Sequence, residues 1–207
     1  MKAIFCKSYG PPENLVLEEV EDLKPGKGEA LVEVYAAALN FPDTLQITGK
    51  YQYQPPFPFI PGSEAGGIIK ELGPNVKGFE TGDRVMANPG IGAMAEQVCV
   101  PFGRLRKIPD SMSFKTASGF PMVYTTSYYA LKQRAELHPG ETLLVLGASG
   151  GVGVAAVELG KLMGAKVIAG ASSEEKLEFA KKAGADVLVN YSAVSYTHLT
   201  LPTIYSV

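Results

Sequence analysis

Apolar positions along the first hundred residues fall in short runs that either alternate with polar ones or close into solid blocks. MKAIFCKSY (1–9), LVLEEVE (15–21), EALVEVYAAAL (29–39), EAGGIIKELG (64–73), DRVMA (83–87) and MAEQVCVP (94–101) all have this texture. Short alternating or apolar runs bounded by turn residues predict strands. GPPEN, KPGKGE, GPNVKG and ETGD supply the turns between them. This half of the chain therefore reads as mainly β.

From about residue 111 the spacing becomes helical, with SMSFKTASGF (111–120) and TTSYYALKQRAEL (125–137) ahead of a turn at Pro139 and Gly140. Strand and helix patterns then alternate. TLLVLGA (142–148) leads through glycines into VGVAAVELGKLMG (152–164), then KVIAGA (166–171), SSEEKLEFAKKAG (172–184) and DVLVN (186–190). The strands are near-continuous apolar runs, as expected of parallel strands covered on both faces by helices. The predicted class is thus α/β plus mainly β, with no internal repeat and no low-complexity segment.

Composition narrows the function classes. Nineteen Lys and Arg against 21 Asp and Glu give a formal charge of −2, so no general field favours nucleic acid or an anionic membrane. The start has Lys7 and Tyr9 where a signal peptide would stay apolar, and no apolar run is long enough for a membrane helix. A cytoplasmic chain is the expectation. Cys6, Cys99, His138 and His198 are scattered without metal-ligand spacing, so no metal is expected and both thiols are expected to be buried packing residues.

The chemistry concentrates in LLVLGASGGVGVAAVELGK (143–161). Gly147, Gly150 and Gly153 form G-x-x-G-x-x-G, with Gly151 alongside, between a predicted strand and a predicted helix. Strict G-x-G-x-x-G would need glycine where Ala148 stands. Such a turn lets backbone amides and a helix N-terminus approach a pyrophosphate; it can also be a tight turn that binds nothing. About 20 residues further on, where an NAD-selecting fold places Asp or Glu, this chain has Gly170, Ala171, Ser172 and Ser173. A carboxylate there would repel a 2′-phosphate, whereas Ser172 and Lys176 could bind one, so NADPH is the expected cofactor. Ser172 could equally cap the next helix, with Glu175 completing a capping box.

ALNFPDTLQITGKY (38–51), PFIPGSEAGG (58–67), ETGDRV (80–85), TTSYYAL (125–131), LGASGGVGVAAVELGK (146–161) and Asn190–Tyr191 occur in the order found in one known family. The chain resembles the zinc-free branch of the medium-chain dehydrogenases and reductases, the quinone oxidoreductase (zeta-crystallin-like) group, from residue 1 to about 193. The resemblance implies a GroES-like β domain over 1–120 followed by the first half of a Rossmann dinucleotide-binding domain over 121–193. Zinc-dependent relatives carry a cysteine ligand near position 40 and G-H-E where this chain has Gly62, Ser63 and Glu64.

The implied activity is hydride transfer from NADPH to a quinone, with an enone as the alternative acceptor; a nucleotide-binding protein without turnover is the non-enzymatic alternative. Without a metal, the acceptor must already be electron-poor. Carried over position by position, Asn40, Asp43 and Tyr51 are expected in the active site. Thr126 is expected at the nicotinamide ribose, Ser149, Gly150, Gly151 and Val152 at the pyrophosphate, and Ser172, Lys176 and Tyr191 at the 2′-phosphate. Asn40, Pro42 and Asp43 also make an ordinary helix start, and Tyr51 could be surface packing. The family implies a homodimer at full length. VSYTHLTLPTIYSV (194–207) departs from the family pattern and is expected to be a non-native tail on a truncated chain, with no role for His198.

Overall fold

The structure is a computed structural model, and it describes residues 1–193; the tail expected to be foreign lies outside them. The chain divides into two compact units, Met1–Met122 and a second beginning at Val123.

In the first unit, β1 (Lys2–Phe5) and β2 (Val16–Glu19) form an antiparallel pair, and five strands form the main sheet. These are β3 (Glu29–Ala37), β4 (Ala65–Leu72), β5 (Arg84–Ala87), β6 (Gln97–Pro101) and β7 (Leu105–Lys107), in the order β6-β3-β4-β5-β7, all antiparallel. β3 explains the mixed texture of its sequence. Its first half, Ala30–Leu31–Val32, is buried on both faces between β4 and β6, while beyond it Glu33, Tyr35 and Ala37 are exposed. Val32, Ile69, Val85, Val100 and Leu105 make the core of this sheet with no exposed surface, each stabilising it by about 1.5–3 kcal/mol relative to exposure. The strand β7 went unpredicted because three residues carry no readable alternation.

The predicted helix start at NFPD is present as α1 (Phe41–Ile47). The helix begins one residue earlier than the proline rule suggests, so that Pro42 is the second helical residue; its missing N–H is still one that helix geometry leaves unbonded. α2 (Phe114–Ser118) is capped by Ser113 Oγ, which accepts from Thr116 N–H at 3.1 Å. α3 (Pro121–Tyr128) runs on into a wider, π-helical turn at Tyr129–Arg134, so the helical segment read from residue 125 is not uniform.

The second unit is the alternating pattern made solid: β8 (Thr142–Leu146), α4 (Gly151–Leu162), β9 (Lys166–Ala171), α5 (Glu174–Lys182) and β10 (Val187–Asn190). The strands are parallel in the order β10-β9-β8. Val145, Val167 and Ala169 from the sheet pack with Val157 of α4 and Ala180 of α5 in one core. Both helices are followed by the glycines predicted to close them, Gly164 at φ +83° and Gly184 at φ +108°. Among the described residues β8 pairs only with β9, and Leu146 on it is 70% exposed.

Candidate functional site

Two places in the structure carry chemistry, one in each unit. In the first, Asn40 and Asp43 are tied together at the start of α1: Asn40 N–H donates to Asp43 Oδ2 at 2.8 Å, and Asp43 N–H donates to the Asn40 carbonyl at 3.0 Å. The Asn40 side chain is not left to swing. Its Nδ2 donates to Glu64 Oε1 at 2.7 Å, while Glu64 Oε2 accepts the Met122 backbone N–H at 2.7 Å. Glu64 is 1% exposed and Asp43 5%. Burial pushes both carboxyls above the ordinary range, against the lowering effect of the hydrogen bonds they accept, and the neighbouring Asp43 pushes Glu64 further the same way.

Asp43 and Tyr51 line one cavity of about 170 Å³ together with Gln46, Ser63, Asn88 and Met122. Asn40 abuts this group through Asp43 and Glu64. The structure thus brings the three residues expected in the active site into one neighbourhood, although Asp43 is also a helix-start residue, as the plainer reading holds. Sequence reasoning missed Glu64, Gln46, Ser63 and Asn88. The signal for Glu64 is a lone charge inside the small apolar stretch PGSEAGG; nothing in the local pattern points to the others.

In the second unit the glycine turn connects β8 to α4. Gly147 has φ +64°, the left-handed region that glycine enters without strain. Gly150 N–H donates back to the Gly147 carbonyl at 3.0 Å, and Ala148 N–H donates to Gly170 O at 3.0 Å. A Cβ on Gly153 would lie 2.3 Å from Gly147 O and 2.9 Å from Ala148 Cα, so α4 packs on the turn only because that carbon is missing. Gly150 caps α4 with no side chain. The first amides of a helix have no acceptor within it, and here no cap side chain takes one up.

Around the turn, Ser149, Glu175, Lys176, Glu178, Phe179 and Lys182 line an open cavity of about 640 Å³. Lys176 Nζ donates to Ser172 Oγ at 2.9 Å, which joins two of the three residues expected at a 2′-phosphate. The alternative reading of Ser172 as the cap of α5 is corrected. Ser173 is the cap, in extended geometry at φ −154° and ψ 159°, and its side chain accepts from Lys176 N–H at 3.4 Å, because α5 begins one residue later than the pattern suggested. Glu174 is drawn to Asn190 Nδ2 at 2.9 Å. Tyr191 follows β10, with its N–H on Ala171 O at 3.1 Å and its ring beside Gly170. Thr126 lies on the exposed side of α3, and Gly151 and Val152 open α4.

Two side chains near the metal-ligand positions of zinc-dependent relatives, Asn40 and Ser63, are an amide and a hydroxyl. Among the described residues no group of three or more His, Cys, Asp or Glu side chains could hold a metal ion. Cys6 is buried as expected, while Cys99 is only partly buried; loss of solvent pushes both thiols up, Cys99 to about 11.

An antiparallel β unit followed by a parallel α/β unit that opens on a glycine turn is the build of the medium-chain dehydrogenases and reductases. Residues 26–110 match the family described as alcohol dehydrogenase GroES-like domain, and 151–200 match the one described as zinc-binding dehydrogenase. The quinone oxidoreductase-like protein 2 homolog of Nematostella vectensis is 41% identical over 196 residues, which cover 92% of this chain and 52% of that protein. The crystal structure of Escherichia coli quinone oxidoreductase complexed with NADPH superposes with a TM-score of 0.89 at 33% identity, covering 94% of this chain and 60% of that one. A structure described as an NAD-dependent alcohol dehydrogenase gives 0.88 at 33%, covering 93% and 64%. The chain belongs to the medium-chain dehydrogenase/reductase superfamily, in its quinone oxidoreductase-like group. It spans about half the length of the curated relatives it matches.

Proposed function

We propose that this chain carries the NADPH-binding turn and the acceptor pocket of a zinc-independent reductase that passes hydride from NADPH to a quinone, with an α,β-unsaturated carbonyl compound as the alternative acceptor. One observation carries the reading: a glycine turn with a side-chain-free helix cap, beside a Ser172–Lys176 pair where an NAD-selecting fold would have an acid. The turn fits a dinucleotide. Its amides are unclaimed by a cap side chain, and a Cβ on Gly150 would meet nothing nearer than Gly147 O at 3.5 Å, so the surface above it is open to a phosphate. When bound, NADPH supplies the hydride; the chain's residues do the rest.

In this reading Ser149, Gly150, Gly151 and Val152 hold the pyrophosphate. Ser172, Lys176 and Tyr191 hold the 2′-phosphate by charge-assisted hydrogen bonds, and Thr126 stands at the nicotinamide ribose. Tyr51 donates a hydrogen bond to the acceptor oxygen, on which negative charge develops. Asn40 is held in one orientation by Glu64, and Asp43 holds the start of α1, so that rate comes mainly from fixed geometry.

Zinc does not fit these residues, since the donor set lacks thiolate and imidazole at the positions that would supply them, and no step is routed through a metal. The acceptor must then spread the incoming charge by itself, as quinones and enones do and unconjugated aldehydes and ketones do not. The reading includes a cytoplasmic homodimer at full length; among the described residues no helix is long and apolar enough to cross a membrane. Steady-state oxidation of NADPH against a panel of quinones and enones, in a chain extended to the length of its relatives, tests it. Turnover of at least one panel member is expected, and NADPH binding with no turnover would refute the enzyme reading.

A further inference from the structure

Ser63 is 7% exposed, and its Oγ makes no hydrogen bond among the described residues. A buried hydroxyl without a partner forfeits the hydrogen bonds it had in water, so its retention asks for a reason. Its backbone is firmly placed. The Ser63 carbonyl accepts Gly90 N–H at 3.3 Å, and on its N-terminal side Ala93 N–H donates to Gly62 O at 3.0 Å and Met94 N–H to Pro61 O at 3.0 Å. Gly62 lies at φ +97°, where an added Cβ would meet Met94 N at 2.9 Å. The backbone is thus held at a residue whose side chain bonds to nothing among the described residues.

Ser63 lines the cavity shared by Asp43, Gln46, Tyr51 and Asn88. At about 170 Å³ that cavity is close to the roughly 150 Å³ that holds a benzene-sized ring in an engineered protein interior. It is well below the roughly 300–1,000 Å³ typical of sites for drug-sized ligands. Its rim supplies a carboxyl, an amide pair, a phenol and a hydroxyl, a set suited to one oxygen-bearing ring.

We propose that the Ser63 hydroxyl donates a hydrogen bond to the carbonyl oxygen of a single-ring ketone or quinone seated in this cavity, which makes Ser63 a binding and specificity residue for one-ring acceptors. The proposal deepens the reductase reading and rests on it for the identity of the ligand as a hydride acceptor. The binding site itself is testable without turnover.

The test compares the wild-type chain with Ser63→Ala, titrated separately with 2-cyclohexen-1-one and with cyclohexene, the same ring without its carbonyl. Wild type is expected to bind the enone roughly five- to tenfold more tightly than the variant does, the worth of one neutral hydrogen bond, while cyclohexene binds both equally. The variant is expected to melt at or above the wild-type temperature, because the unpartnered hydroxyl is gone; a merely structural serine would lower it. Infrared spectra of the bound enone in wild type alone give a second measurement, with the carbonyl stretch lowered by the donated bond. Equal enone affinity in both proteins, equal loss for both rings, an unshifted carbonyl stretch or no saturable binding by wild type would each overturn the proposal. NADPH titration of the same two proteins separates the readings. Failure to bind NADPH with the enone pattern intact removes the reductase reading and leaves the ring site, and the opposite pattern removes the ring site alone.

Discussion

Gly150→Ala and Gly153→Ala separate the two tasks assigned to the glycine turn. At Gly153 the added carbon would sit 2.3 Å from Gly147 O and 2.9 Å from Ala148 Cα. Both are backbone atoms, so relief requires α4 to draw away from the turn and from the sheet beneath it. Overpacking of this kind costs typically about 1–3 kcal/mol, and in a small unit each kcal/mol lowers the melting midpoint by roughly 4–8 °C. At Gly150 the nearest atom is the same carbonyl oxygen at an ordinary 3.5 Å, and φ −76°, ψ 162° suit any residue. Alanine is a poorer helix cap than glycine by roughly 0.5–1 kcal/mol. Gly150→Ala should therefore melt within a few degrees of wild type, yet its methyl group occupies the surface a pyrophosphate must approach.

The assay is a thermal melt of each variant beside a fluorescence titration with NADPH. Gly153→Ala is expected to lose stability and, with it, binding. Gly150→Ala is expected to keep stability and lose NADPH affinity at least tenfold. Wild-type affinity in a well-folded Gly150→Ala would refute the assignment of the pyrophosphate to this backbone, and a wild-type melt for Gly153→Ala would refute the close packing of α4 on the turn.

Two further outcomes follow from the geometry. Lys176→Ala, which also removes the partner of Ser172 Oγ, should weaken NADPH by about 1.5–3 kcal/mol and NADH much less; equal losses in paired titrations would remove Lys176 from the phosphate. The carboxyls of Asp43 and Glu64 are raised by burial in the folded chain, so the folded state holds their protons to higher pH than the unfolded state does. Their stabilising contribution is full below the ordinary carboxylate range and is lost as pH rises from that range through the raised values. Glu64→Gln should flatten this part of the stability–pH curve in denaturant melts recorded at a series of pH values, and an unchanged slope would contradict the burial of that charge.

The second unit was legible in the sequence because its signals are local. Continuous apolar strands, helices closed by Gly164 and Gly184, and glycines at the β8–α4 turn each depend on a few neighbouring residues. The candidate site of the first unit was legible only in part. Asn40, Asp43 and Tyr51 sit in one readable stretch, but Glu64 meets Asn40 across 24 residues and Met122 across 58, and the Pro61–Ser63 backbone is bonded to the distant Gly90–Met94 segment. No local periodicity encodes such pairings. The shift of the α5 cap from Ser172 to Ser173 has a different cause: adjacent serines offer equal capping chemistry, and only the backbone angles choose between them.

The claim on which the account rests is that the amides following β8 grip the pyrophosphate of NADPH. An amide-resolved NMR titration of the chain with NADPH measures it directly. Saturable shifts centred on Ser149, Gly150, Gly151 and Val152, with Lys176 moving alongside them, are predicted. Unmoved resonances at those four residues under saturating NADPH would contradict it.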